Sequence, residues 1–82
     1  MRSLVWCLAV PSARDHRVIV GANIRQYRMR STFTIEALAE KAELHPNYLG
    51  RVERGEEYIS LAALIRTAKA LRVRVQDLVA GI

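Results

Sequence analysis

Residues 45–55, HPNYLGRVERG, concentrate side chains that can recognise planar hydrogen-bonding partners. Asn47 can form two hydrogen bonds with the edge of adenine, and Arg51 can do the same with guanine. The ring of His45 can meet a phosphate or a base. The same composition also suits an ordinary exposed helix, so these residues alone leave both interpretations open.

Other residue types that carry chemistry are scattered along the chain. Cys7, His16 and His45 fall on different predicted elements, and no Ser/His/Asp or Cys/His set can be assembled from them. We therefore do not expect an enzyme. No metal-ligand spacing is present, so we expect neither a metal nor a cofactor. A single cysteine excludes an intrachain disulfide, which favours a cytoplasmic location.

Helical periodicity and capping residues divide the chain after residue 12 into five short helices. Apolar residues recur at intervals of three and four, as on one face of a helix. Pro46 is favoured in a first turn, and Gly55 just past a helix end. The predicted helices span residues 13–30, 35–42, 46–54, 61–71 and 75–80. Since no strand pattern follows residue 12, we predict an all-α fold.

About three residues separate the second and third predicted helices, and so short a connection makes the two helices cross steeply. Ala39 is the small residue that the crossing needs, and Leu49 and Val52 form the inward face of the later helix. The pattern predicts a helix-turn-helix at about residues 35–54. Its polar outer face carries His45, Asn47, Gly50, Arg51 and Arg54.

Residues 1–11 form an apolar segment that stands apart from the helices. The run SLVWCLAV (3–10) is too short to span a membrane. The segment could be a strand, an arm that packs on a partner, or an unstructured extension. We therefore predict one domain over residues 12–82, preceded by a segment of uncertain structure.

The charge distribution favours a polyanionic partner without locating its binding surface. The chain carries a net charge of +5, with 11 Arg and 2 Lys, and arginine suits the planar recognition of phosphate and guanine. Residues 12–34 hold five bases and one acid, whereas residues 35–82 hold seven of each. A basic surface that serves only solubility is an equal alternative at this level.

Five segments carry a longer pattern, in order along the chain. They are VGANIRQYR (20–28), FTIEALAEKAEL (33–44), PNYLGRVERG (46–55), SLAALIRTAKAL (60–71) and VQDL (75–78). This set resembles the lambda-repressor/Cro-like, or XRE-type, helix-turn-helix domains. The resemblance implies a five-helix lambda-repressor-like DNA-binding domain, with helix 46–54 in the major groove.

The resemblance also implies roles for individual residues. Base-reading positions fall on Asn47 and Arg51, and His45 is an open case because it replaces the usual serine. An ion pair between Arg28 and Glu53 is implied as a structural element. The implied phosphate contacts fall on Thr34, Ile35, Tyr48 and Arg54, although Tyr48 lies near the inward face and could equally pack.

Several residues depart from the family pattern. Ile35 stands where the family usually has a glutamine, so a side-chain hydrogen bond to phosphate is lost there. Positions that are often glycine are occupied by Thr32, Glu43 and Arg72, and each would cost about 1 kcal/mol at positive φ. Glu56 and Glu57 are expected in a solvated loop that points away from phosphate.

The resemblance implies a sequence-specific transcriptional regulator, a repressor or autoregulator, that binds a palindromic operator as a homodimer. We expect neither a membrane partner nor a domain that binds a small-molecule effector. The segment 53–71 resembles controller proteins of restriction–modification systems, while a plasmid or phage repressor or an antitoxin is equally compatible. The predicted dimer surface is Leu61, Leu64, Val75, Leu78, Val79 and Ile82. The apolar segment 3–10 is a rival to this surface or an addition to it.

A protein-interaction module is the alternative from another class. The same helical scaffold could dock on a protein, as an antitoxin domain does on a toxin. Ile35, Gly50 and the neutral second half of the chain favour this alternative, whereas Asn47 and Arg51 favour DNA.

Overall fold

A computed structural model describes residues 13–82 of the chain. It contains α1 (Ala13–Arg30), α2 (Ile35–Ala42), α3 (Pro46–Glu53), α4 (Leu61–Leu71) and α5 (Val75–Leu78). No strand occurs in this range, and the predicted all-α, five-helix fold class is confirmed. The apolar segment 1–11 lies outside the described residues. Within residues 13–82, no helix is long and apolar enough to cross a membrane.

Local side-chain caps explain where the central helices begin. The Thr34 hydroxyl accepts a hydrogen bond from the Ala37 main-chain N–H at 3.0 Å, at the start of α2. The Ser60 hydroxyl does the same for Ala63 at 3.1 Å, at the start of α4. These bonds satisfy N–H groups that have no partner within the helix. The helix starts are therefore fixed by nearby sequence.

Two helices are shorter than predicted. α3 ends at Glu53, since Gly55 follows with φ of 78° and turns the chain away. α5 ends at Leu78, where the side-chain amide of Asn23 donates to the carbonyls of Leu78 and Ala80, at 3.0 and 2.8 Å. This amide ties the end of α5 to α1.

Three residues with side chains adopt the left-handed conformation that favours glycine. They are Thr32, Glu43 and Arg72, with φ of 60°, 59° and 60°. Glu43 ends α2 and Arg72 ends α4. These are the positions at which the sequence led us to expect a conformational cost of about 1 kcal/mol each.

The core lies between all five helices. α2 packs on α3 and α4, while α1 packs on α3 and α5. The fully buried side chains of this core include Ile24, Leu38, Leu49, Val52 and Leu78. Leu64 and Leu78, which we predicted for a dimer surface, are only 7% and 0% exposed. Both already fill the core of one subunit, so the prediction is corrected for these two residues.

One glycine sets the distance between α1 and α3. A Cβ atom on Gly21 would lie 2.1 Å from the carbonyl oxygen of Val52 and 2.8 Å from that of Glu53. Only glycine allows the backbone of α1 to lie this close to the end of α3. The glycine thereby helps to hold α3 in place.

Candidate nucleic-acid interface

The connection between α2 and α3 fixes the angle at which α3 leaves the domain. Glu43 turns the chain through its left-handed conformation, and the N–H of Leu44 then bonds the carbonyl of Ala39 at 2.7 Å. Ala39 is fully buried at the helix crossing. α2 and α3 therefore form a helix-turn-helix, with the inward face of α3 on the core.

An ion pair attaches the end of α3 to α1. The guanidinium of Arg28 donates two hydrogen bonds to the Glu53 carboxylate, at 2.7 and 3.0 Å. A third bond, at 2.9 Å, reaches the carbonyl of Phe33 in the loop before α2. The two charged side chains are 13% and 4% exposed. Arg28 thus joins α1, this loop and the end of α3.

The outer face of α3 and the start of α2 share one polar surface depression. Its volume is about 300 Å³. The lining residues are Ile35, Glu36, Pro46, Asn47, Gly50, Arg51 and Arg54. Four of the predicted site residues therefore meet on one surface, whereas Thr34, His45 and Tyr48 do not line it.

His45 caps α3 with its ring. Its Nδ1 accepts a hydrogen bond from the Asn47 main-chain N–H at 3.1 Å, so this nitrogen carries no proton. While Nδ1 accepts this bond, the N–H of the ring is on Nε2, and the residue is exposed. His45 thus caps α3 in place of the serine usual in the family, and its Nε2 remains for a ligand.

The phenol of Tyr48 is used within the protein. Its hydroxyl donates to the carbonyl of Tyr58 at 3.2 Å and accepts from the N–H of Ser60 at 3.0 Å. A phenol has a single hydrogen to donate, so none remains for a phosphate oxygen. The implied phosphate contact at Tyr48 is therefore corrected. The residue instead holds the loop between α3 and α4.

The start of α2 presents main-chain and hydroxyl groups rather than a long polar side chain. The side chain of Ile35 packs against the core. Its main-chain N–H belongs to the first turn of α2 and has no partner within the helix. The Thr34 hydroxyl accepts the capping bond and keeps its own hydrogen available.

The two arginines of the outer face contact the two acids of the following loop. Arg51 Nε lies 3.2 Å from a carboxylate oxygen of Glu57. Arg54 binds Glu56 through Nε at 3.0 Å and through Nη2 at 3.4 Å. The hydrogen bond from Arg54 lowers the pKa of the Glu56 carboxyl. We expected this loop to point away from phosphate, and its two acids instead lie against the two arginines of the outer face.

Arg25 is a candidate site residue that the sequence did not single out. A second depression beside the first has a volume of about 200 Å³. It is lined by Arg25, Arg28, Ile35, Gly50, Glu53 and Arg54. The available signal was its position three residues before Arg28, on the same side of α1. Arg25 is exposed and extends the positive charge beside the start of α2.

Comparison with known proteins identifies the class that this geometry defines. A model of the helix-turn-helix domain family matches residues 19–80. The chain belongs to the helix-turn-helix family of DNA-binding transcription regulators. It is similar to control protein C.SmaI of Serratia marcescens, with 42% identity over 64 residues that cover 78% of this chain and 76% of that protein.

Two solved structures share the fold. The restriction–modification controller protein C.AhdI from Aeromonas hydrophila aligns with a TM-score of 0.74 and 32% identity, over 76% of this chain and 94% of that one. SinR, the master regulator for biofilm formation solved in complex with DNA, aligns with a TM-score of 0.70 and 33% identity. That alignment covers 72% of this chain and 95% of the chain in that structure.

Proposed function

We propose that this chain controls transcription as a homodimer bound to a palindromic DNA site, with α3 of each subunit in the major groove. The observation that carries the proposal is the shared surface of α2 and α3, on which Asn47 and Arg51 lie side by side. Two such helices, about 34 Å apart, would read half-sites one helical turn apart.

The base-reading residues in this proposal are Asn47, Arg51 and His45. Asn47 is exposed near the start of α3, where its amide can pair with adenine. Arg51 follows one turn later and can pair with guanine. His45 contributes its Nε2 proton to a base or a phosphate, because its other nitrogen caps α3.

The phosphate contacts in this proposal come from three elements. The main-chain N–H of Ile35 and the hydroxyl of Thr34 lie at the positive end of α2, which favours an anion. Arg54 contacts phosphate in competition with Glu56. Arg25 joins this set from α1, whereas Tyr48 is left out of it.

The proposed dimer surface is the outward side of α4 together with the end of the chain. Leu61 and Ile65 lie one turn apart on α4 and are 69% and 37% exposed. Ile82 is also exposed, and Val75 and Val79 are half-buried. Burying these side chains in a second copy would remove apolar surface from water.

The similarity to C.SmaI and C.AhdI supports a role in a restriction–modification system, acting in the cytoplasm. In this role the chain would control the genes of the system, including its own. The two named proteins are described as a control protein and a controller protein, respectively.

Selection from a library of random duplexes tests the proposed function. The wild-type protein should enrich a palindrome, and Arg51→Ala should lose about 1–3 kcal/mol on that duplex and relax the preference at one base pair per half-site. Arg72→Ala removes the same charge from the far end of α4 and serves as the control. If Arg51→Ala binds the selected and a scrambled duplex as the wild type does, α3 is not the reading helix.

Salt titration separates phosphate contacts from base reading. Arg25→Ala should weaken binding to both duplexes equally and reduce the slope of log K against log salt by about one. Arg72→Ala again provides the control. An unchanged slope for Arg25→Ala would exclude Arg25 from the phosphate contacts.

A further inference from the structure

The two acids after α3 bind the two arginines in different ways. Glu57 takes one hydrogen bond from Arg51, through the inner nitrogen Nε of the guanidinium. Glu56 takes two from Arg54, through Nε and the terminal nitrogen Nη2. Adjacent acids of the same type therefore leave different parts of their arginines available.

The terminal nitrogens decide what an arginine can still bind. A guanidinium has five N–H donors, and Nε supplies only one of them. With Nε on Glu57, Arg51 has both terminal amino groups available for the O6 and N7 atoms of guanine. With Nε and Nη2 on Glu56, Arg54 keeps only its terminal edge for a two-bond contact with phosphate, and the Glu56 carboxylate beside it repels that phosphate.

The position of Glu57 is itself fixed. It precedes Tyr58, whose carbonyl accepts the hydrogen bond from the Tyr48 hydroxyl. On its other side, the N–H of Glu56 bonds the carbonyl of Arg51 at 2.9 Å. The loop is therefore tied to α3 on both sides of Glu57, which holds the main chain of Glu57 beside Arg51.

We propose that Glu57 is a specificity-determining residue, which positions Arg51 for base contact, while the adjacent Glu56 competes with phosphate for Arg54. This role rests on the proposed function of α3 as the reading helix. An arginine that is oriented before binding loses less side-chain freedom on the DNA, which amounts to about two- to tenfold in affinity. That gain applies only where Arg51 meets its correct base.

Matched alanine variants separate the two roles. The probes are the duplex selected by the wild-type protein and a scrambled duplex of the same composition. Glu57→Ala should lower the preference for the selected duplex by about two- to tenfold. Glu56→Ala should instead raise the affinity for both duplexes by the same factor, because it frees Arg54 and removes a negative charge.

Two further variants distinguish positioning from a general structural effect. Glu57→Gln keeps an oxygen that accepts from Arg51 Nε, so it should restore most of the preference. In an Arg51→Ala background, Glu57→Ala should leave the preference unchanged, because there is no arginine left to orient. Thermal unfolding should show the same midpoint for Glu57→Ala and Glu57→Gln.

Three outcomes would overturn the role of Glu57. They are a wild-type preference in Glu57→Ala, an equal loss in the Arg51→Ala background, and no rescue by Glu57→Gln. All three leave the proposed function intact if Arg51→Ala itself loses preference. A wild-type protein that selects no sequence would instead remove the proposed function and, with it, this role.

Discussion

At the scale of single residues, two helical glycines differ in the atoms that an added Cβ would meet. A Cβ on Gly21 would overlap the carbonyl oxygen of Val52, at 2.1 Å. A Cβ on Gly50 would meet only a terminal nitrogen of Arg54, at 3.2 Å, on a side chain that can move. Gly21 is therefore required by packing, whereas a Cβ on Gly50 would only have to displace the flexible end of Arg54.

Alanine at these two glycines should have opposite effects on stability. Gly21→Ala should lower the free energy of unfolding by about 1–3 kcal/mol, because α1 has to move away from α3. Gly50→Ala should raise it by up to about 1 kcal/mol, because alanine favours the helix more than glycine does. Urea unfolding measures both, and an equal change at the two sites would contradict the packing assigned to Gly21.

At the scale of the elements, the helix ends keep a strain that glycine would relieve. Glu43 ends α2 with φ of 59°, although it carries a side chain. Glu43→Gly should therefore raise the free energy of unfolding by about 1 kcal/mol. Glu40→Gly removes the same charge from an exposed position inside α2 and should lower it by about 1 kcal/mol. Stabilities that fall by the same amount would show that Glu43 is not strained.

The Arg28–Glu53 pair connects α1 to α3, and its two charges depend on each other. Glu53→Leu should lower the free energy of unfolding by about 3–5 kcal/mol, because it leaves the largely buried Arg28 without a counter-charge. The double variant Arg28→Met, Glu53→Leu should recover most of that loss, because neither charge is then buried. Chemical denaturation compares the three proteins. If the double variant is no more stable than Glu53→Leu, the unpaired charge of Arg28 is not the cause of the lost stability.

The sequence predicted those elements whose signals are local. Thr34, Pro46 and Ser60 mark helix starts because a cap acts within three residues of itself. The partners of Tyr48 could not be predicted, since they depend on the path of the loop after Gly55. The Arg51–Glu57 and Arg54–Glu56 pairs were missed for the same reason.

The two sides of α4 show what hydrophobic periodicity alone cannot predict, namely which apolar side chains are buried. Both Leu61 and Leu64 fit an apolar face, and only tertiary packing decides that Leu64 is buried while Leu61 is exposed. The Arg28–Glu53 pair was expected only because the chain resembled a known family. An arginine on a helix is otherwise as consistent with exposure as with an ion pair.

At the scale of the whole molecule, exposed apolar side chains on α4 support a two-subunit assembly. The double variant Leu61→Gln, Ile65→Lys should shift the protein towards the monomer, because it replaces apolar area that the partner would bury. Both side chains already face solvent, so the fold should be retained. Sedimentation equilibrium gives the dimer dissociation constant.

Met29→Lys is the matched control for the dimer surface. Met29 is as exposed as these residues but lies on α1, away from α4. The Met29→Lys variant should therefore have the dimer dissociation constant of the wild type. If the α4 variant and this control dimerise equally well, the proposed surface is wrong.

The Tyr48 hydroxyl has a consequence for the spacing of the DNA half-sites. It binds the main chain on both sides of Ile59, directly before α4, and so ties the proposed reading helix α3 to the start of the proposed dimer helix α4. In the proposed dimer, each subunit connects its α3 to the dimer surface through its own Tyr48, so two such contacts separate the two major-groove helices. Moving a half-site by one base pair rotates it by about 35° around the DNA axis. With a rigid connection of this kind, the affinity would depend on the number of base pairs between the half-sites as well as on their sequence.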